Sequence, residues 1–221
     1  NFGTTSVFGD PSFHQQAEPI VELASSLLDG LNSGGMKSVG KHFPGHGFIK
    51  ADTHLESAND NRSLEEIQKK DMSVFKEMIK KNITGVMPSH VIYSSCDSKP
   101  AGFSQFWLEG QLRKHLNFNG AIFSDDMGMK AAQIFEKDIV SRVRKCLEAG
   151  CDMVLVCNQA DDVDNVLNKL SWNQDSVSIK RLLNMHRDNR KNTERDSSQL
   201  NFRYEDAKKG IKELQKLGNK F

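Results

Sequence analysis

A chain of 221 residues, 37% hydrophobic and 27% charged, carries enough apolar material for one large core, and its formal net charge is only +1. That balance makes no electrostatic case for a nucleic-acid or membrane partner, and no apolar run approaches the roughly 20 residues a spanning helix needs. The opening residues NFGTTSVFGDPSF lack the basic and then apolar segments of a secretory leader, and four cysteines without a CxxC pair read as reduced thiols, so the expected location is cytoplasmic.

In chain order, a first helix is predicted from Pro19 to Leu31, and MKSVGKHF reads as a strand entering a loop. Ser63 and Glu66 form a capping-box pattern that opens a helix with Leu64, Ile67, Val74, Phe75, Met78 and Ile79 on its apolar face. ITGVMPSH is a second strand, and Ser104 caps a shorter helix bearing Trp107, Leu108 and Leu112. GAIFSDD is a third strand, followed by a helix through Ile134, Val140, Val143 and Leu147. GCDMVLVCN is a fourth, with Cys151 and Cys157 as small core residues, and the helix behind it uses Val163, Val166, Leu167 and Leu170. The polar stretch from Ser171 to Ser198 reads as a solvated helix and linker. A closing surface helix from Tyr204 to Leu217 then sets Ala207, Ile211, Leu214 and Leu217 on one face.

Strand, loop and helix repeated in this way imply α/β architecture with parallel strands joined by right-handed crossovers. Three of the strands end in KH, SH and SDD, which places ionisable residues at strand C-termini. In a (β/α) barrel or an open parallel sheet, that edge is where active sites form.

The densest titratable stretch is KHFPGHGFIKADTHLE, residues 41 to 56. His42 and His46 have the spacing of a helical metal pair, but Pro44 and Gly45 between them exclude a helix and no second ligand cluster follows. Neither a metal nor any other cofactor is expected. Asp52 stands two residues before His54, and a carboxylate beside an imidazole fixes its tautomer and supports proton transfer near neutral pH. In SDD, Asp125 and Asp126 repel each other, which argues against a purely structural pair. One of them suits a nucleophile, and the other a cap or loop anchor.

Taken together, KHFPGHG at 41 to 47, ADTHLE at 51 to 56, DNR at 60 to 62, VMPSHVIY at 86 to 93, FNGAIFSDDMGM at 118 to 129 and AGCDMVLVCN at 149 to 158 resemble glycoside hydrolase family 3. The likeness is to its bacterial β-N-acetylglucosaminidases of cell-wall recycling, and it runs to about Leu170. The resemblance implies a (β/α)8 TIM-barrel-type fold, of which this chain would hold about the C-terminal half. Residues 1–198 would be barrel, and 199–221 a surface helix of the same domain. It implies Asp125 as nucleophile, His54 as acid/base and Asp52 as the partner of His54. Lys41 and His42 would hydrogen-bond the sugar, with Arg62, His90 and Met127 completing the substrate-binding set from supporting positions. The implied activity is a retaining exo-β-N-acetylglucosaminidase acting on small glycosides such as N-acetylglucosamine-containing muropeptides, without nucleic-acid or membrane partners. The oligomeric state stays open. Phosphorolysis by the same residues and an inactive, sugar-binding remnant are the alternatives. Two departures stand out: Pro11 occupies the place of a sugar-binding arginine, and the early strands that carry a further aspartate and arginine are not present.

Overall fold

Four short strands rich in small and branched residues line up in one fully parallel sheet. The computed structural model describes residues 13–49, 58–186 and 204–213. Helix α1 (Ala17–Ser33) precedes strand β1 (Val39–Phe43), the two-residue strand β2 (Asn59–Asp60), and helices α2 (Leu64–Lys69) and α3 (Asp71–Lys80). Strand β3 (Gly85–Pro88), the short β4 (Ile92–Tyr93) and a wide helical segment Phe106–His115 lead into β5 (Ala121–Asp126). Helices α4 (Lys130–Phe135) and α5 (Ile139–Ala149), strand β6 (Met153–Leu155) and helices α6 (Ala160–Lys169) and α7 (Ser176–Leu183) complete the order. The sheet runs β1-β3-β5-β6, each pair parallel, while β2 and β4 form a separate two-stranded ladder.

Register pins the chemistry to one edge. Val39 faces Gly85 and Lys41 faces Met87, and the pairing then slips between Lys41 and Phe43. A second slip lies between Phe123 and Asp126 where β5 meets β6. Such irregularities bend a strand and re-aim its side chains. Here they fall at the C-terminal ends of β1 and β5, beside His42 and Asp125. The Lys41–His42 and Phe43–Pro44 peptides are both cis.

The core sits between sheet and helices. Phe43 packs edge-on to Phe75 of α3 and to Trp107, with ring centroids 5.3 and 6.3 Å apart, and Tyr93 meets Trp107 at 5.0 Å. Phe43, Tyr93, Trp107, Val86 and Ile122 are all fully buried, and burying each such large apolar side chain contributes about 1.5–3 kcal/mol. Below the sheet, Arg113 donates to Phe118 O and Gly120 O and pairs with Asp152 at 2.7 Å. Asp152 also accepts from Ile122 N, Ser178 Oγ and Arg181. This network binds α7 to the N-terminal ends of β5 and β6.

Several expectations change. The predicted Ser63–Ile79 helix is two helices, broken at Lys70 (φ −99°, ψ −71°), although the Ser63–Glu66 capping box is present. The helix through Ile134 to Leu147 is also two, because Asp138 starts α5 afresh by accepting from Ser141 N. Ile134 and Leu167 are 54% and 74% exposed rather than core-facing, since periodicity marks a face without saying what covers it. Cys157 is exposed, because β6 ends at Leu155 and the chain has already left the sheet. Residues 204–213 are helical, with Tyr204 and Ile211 exposed; Leu214 and Leu217 lie outside the described residues. Among the described residues β1 and β6 pair on one side only, and Val39 and Met153 on these edges are 38% and 41% exposed. Among the described residues, no helix is long and apolar enough to cross a membrane.

Candidate active site

Asp125 is the penultimate residue of β5. Its Oδ1 accepts the Asp126 amide at 2.9 Å, and its Oδ2 stands 3.6 Å from His42 Nε2, across the sheet at the end of β1. The two side chains are only 15% and 14% exposed. Burial lowers the His42 pKa to about 4, against the opposing pull of the Asp125 charge. At neutral pH the imidazole is therefore uncharged, and the contact joins a carboxylate to a neutral polar ring.

Its neighbour has the opposite surroundings. Asp126 Oδ1 accepts from both Gly128 N and Cys157 N at 2.9 Å. The second aspartate is a loop anchor joining the exits of β5 and β6. The two adjacent carboxylates thus divide into one that presents and one that holds, one of the divisions the SDD spacing leaves open.

Lys41 is exposed on β1 beside His42. His46 is 5% exposed and lies against His42 with ring centroids 5.8 Å apart. The turn between them is tight: Gly45 has φ +152°, and a Cβ there would fall 2.2 Å from Asp71 Cβ, so only glycine fits. Asp71 in turn pairs with Arg62 at 2.7 Å, and Arg62 also pairs with Asp60 at 2.7 Å while lying over the Phe48 ring at 4.4 Å. Burial alone would lower the guanidinium pKa; the bonds to both carboxylates outweigh it and raise it. Arg62 thus ties the loop after β1 to β2 and α3. Met127 is fully buried, with its amide bonded to Leu155 O. His90 is 1% exposed, and its Nε2 lies 3.1 Å from Asp126 O. Asp52, His54 and Pro11 lie outside the described residues. Among the described residues, no group of three or more His, Cys, Asp or Glu side chains could hold a metal ion.

Sequence reasoning brought Lys41, His42, His90 and Asp125 to one edge, and there they are. It did not single out Ser89, Tyr93 or the Cys157 amide, all of which bond into this edge. Tyr93 lies within a quoted motif, but nothing in its spacing says that its hydroxyl reaches Gly45, 48 residues away.

Residues 4–185 match the model of the glycosyl hydrolase family 3 N-terminal domain. The chain is 47% identical over 186 residues to a β-hexosaminidase of Methylobacillus flagellatus, a match covering 84% of this chain and 53% of that protein. It is 49% identical over 169 residues to a β-hexosaminidase of Haemophilus influenzae, covering 75% and 48% respectively. The crystal structure of NagZ from Neisseria gonorrhoeae in complex with N-trifluoroacetyl-D-glucosamine aligns with a TM-score of 0.75 at 43% identity, over 82% of this chain and 51% of that one. The chain therefore spans about half the length of the curated relatives it matches, and its parallel sheet is part of a TIM-barrel-type fold. A rim carboxylate set beside KHFPGHG on parallel strands, and a family model met over most of the length, lead to one assignment: this chain belongs to glycosyl hydrolase family 3.

Proposed function

We propose that the protein to which this chain belongs is a retaining exo-β-N-acetylglucosaminidase, removing terminal N-acetylglucosamine from muropeptide-like glycosides in cell-wall recycling. The observation that carries it is Asp125, anchored through Oδ1 and presenting Oδ2 at the rim beside His42. In this reading Asp125 attacks the anomeric carbon as the leaving oxygen departs, giving a glycosyl-enzyme. His54, partnered by Asp52, protonates that oxygen and then takes a proton from the attacking water. A histidine serves both steps because its ordinary pKa lies near ~6.5, close to working pH. Lys41 and His42 hydrogen-bond sugar hydroxyls. Arg62 and Met127 act from behind, one fixing the loop after β1 and the other the exit of β5. The N-acetylglucosamine preference rests on the relatives' names and on the sugar bound in the gonococcal structure. A cytoplasmic site of action fits the four free thiols. Residues 1–198 would be barrel, and 199–221 a surface helix of the same domain.

The test is hydrolysis of a chromogenic β-N-acetylglucosaminide by the full-length parent, with and without inorganic phosphate. Hydrolysis at the same rate in both, lost in Asp125→Ala, is the expected result. Activity that survives Asp125→Ala overturns the nucleophile, and a sugar 1-phosphate product makes the enzyme a phosphorylase instead. The 221-residue chain by itself should turn over weakly or not at all.

A further inference from the structure

We propose that Ser89, His90 and Tyr93, at the exit of the central strand β3, are positioning residues that set the distance between the sugar-binding turn after β1 and the nucleophile turn after β5. The proposal rests on Asp125 being the nucleophile and deepens that reading. β3 lies between β1 and β5 and pairs with both. Its own exit offers nothing to a substrate: Ser89 and Tyr93 are 0% exposed and His90 is 1% exposed. Their polar atoms point sideways, in two directions.

Toward β1, Ser89 N donates to Phe43 O at 2.9 Å. The Tyr93 hydroxyl donates to Gly45 O at 2.8 Å and lies 3.2 Å from Ser89 Oγ, whose proton it is then free to accept. Burial raises the phenol pKa, so the hydroxyl stays a donor throughout the working range. Lys41, His42 and Gly45 ride on the segment held this way.

Toward β5, His90 Nε2 sits 3.1 Å from Asp126 O. A carbonyl can only accept, so this nitrogen carries the proton. Nδ1 is then a bare acceptor, buried, with no partner among the described residues. The ring is stacked on Phe103 at 5.4 Å, and a second proton would put an unsatisfied N–H in that buried site. Burial lowers the His90 pKa against the pull of Asp125 and Asp126, and Arg142 adds to the lowering. The imidazole thus works as a fixed, neutral donor. It grips the peptide that follows Asp126 while the Asp126 carboxylate is held from β6.

Three buried polar groups at the end of one strand carry a desolvation cost that apolar side chains of similar size would avoid. What they add is spacing. His42 is on the segment Tyr93 and Ser89 hold, Asp125 is on the segment His90 holds, and the two meet at 3.6 Å.

The two arms should therefore fail differently in the full-length parent. His90→Leu removes the grip on the nucleophile turn, and kcat should fall about 10²-fold, as for a misplacement near 1 Å, with KM within about threefold. Tyr93→Phe loosens the sugar-binding turn, and KM should rise roughly five- to tenfold, the worth of one hydrogen bond, with kcat within about threefold. His90→Gln, whose amide can still donate to Asp126 O, should recover kcat to within about tenfold of the parent. Loss of kcat and KM in the same proportion in both variants, or a glutamine no better than leucine, overturns the proposal. A second readout needs no turnover. In this 221-residue chain labelled with 15N-histidine, His90 should show a protonated Nε2 and no titration from about pH 5 to 8. A protonated Nδ1, or a transition near ~6.5, also overturns it. A full-length parent without turnover would count against the glycosidase reading, while the labelled ring still decides whether His90 holds the peptide after Asp126.

Discussion

At the N-terminal ends of the strands, Asp152 is 3% exposed and every lone pair is spoken for: Arg113, Arg181, Ser178 Oγ and Ile122 N all donate to it. At the C-terminal ends, the Asp125 side chain is 15% exposed, and among the described residues it accepts the Asp126 amide and faces a neutral imidazole at 3.6 Å. The base surrounds a carboxylate with donors, two of them guanidinium groups; the rim sets a carboxylate beside a neutral ring. The difference lies in the surroundings and not in residue type, since both are aspartates at the ends of the same sheet.

Removing the rim carboxylate should cost activity and little stability. In the full-length parent, Asp125→Asn should lower kcat by roughly 10³-fold or more while the thermal midpoint stays within a few degrees. The base should behave in reverse. Asp152→Ala strands Arg113 and Arg181, and urea unfolding of the 221-residue chain should register a loss of roughly 3–5 kcal/mol. A smaller change there would place that pair closer to the surface class.

The rim also gives the chain a pH signature. His42 titrates at about 4 when folded, against an ordinary 6.5. Above pH 6.5 both states are neutral and stability is full; as pH falls from 6.5 toward 4, the unfolded chain takes a proton that the folded one refuses. Up to ~3 kcal/mol should be lost over that window, and His90 adds to it with the same sign. Unfolding free energies measured between pH 7 and 4 on the chain and on His42→Asn check this, with the variant showing the shallower slope. The smallest expected effect lies far from both ends. Ser63→Ala breaks the capping box at α2 and should cost about 1 kcal/mol in denaturant unfolding.

Much of this was legible in the residues. Alternating strand and helix patterns yielded the parallel sheet, and Ser63 with Glu66 marked a helix start to the residue. KH, SH and SDD at strand ends placed the ionisable residues along one edge of the sheet. What escaped was governed by partners distant in the chain. Cys157 carries the composition of a core position and is exposed, because β6 stops at Leu155. Leu167 keeps helical spacing yet lies open, because the described part of the sheet offers α6 nothing to cover that face.

The sequence by itself determined the element order, the parallel topology and the presence of two carboxylates and several histidines at one rim. These follow from local periodicity, turn chemistry and the handedness of crossovers, all short-range properties of the chain. Only the tertiary structure decided which aspartate is anchored and which is presented. It also decided that His42 stays neutral, and that Ser89, His90 and Tyr93 face sideways into the two turns. Each of those depends on donors and desolvation supplied by residues tens of positions away, and no spacing in the chain encodes them.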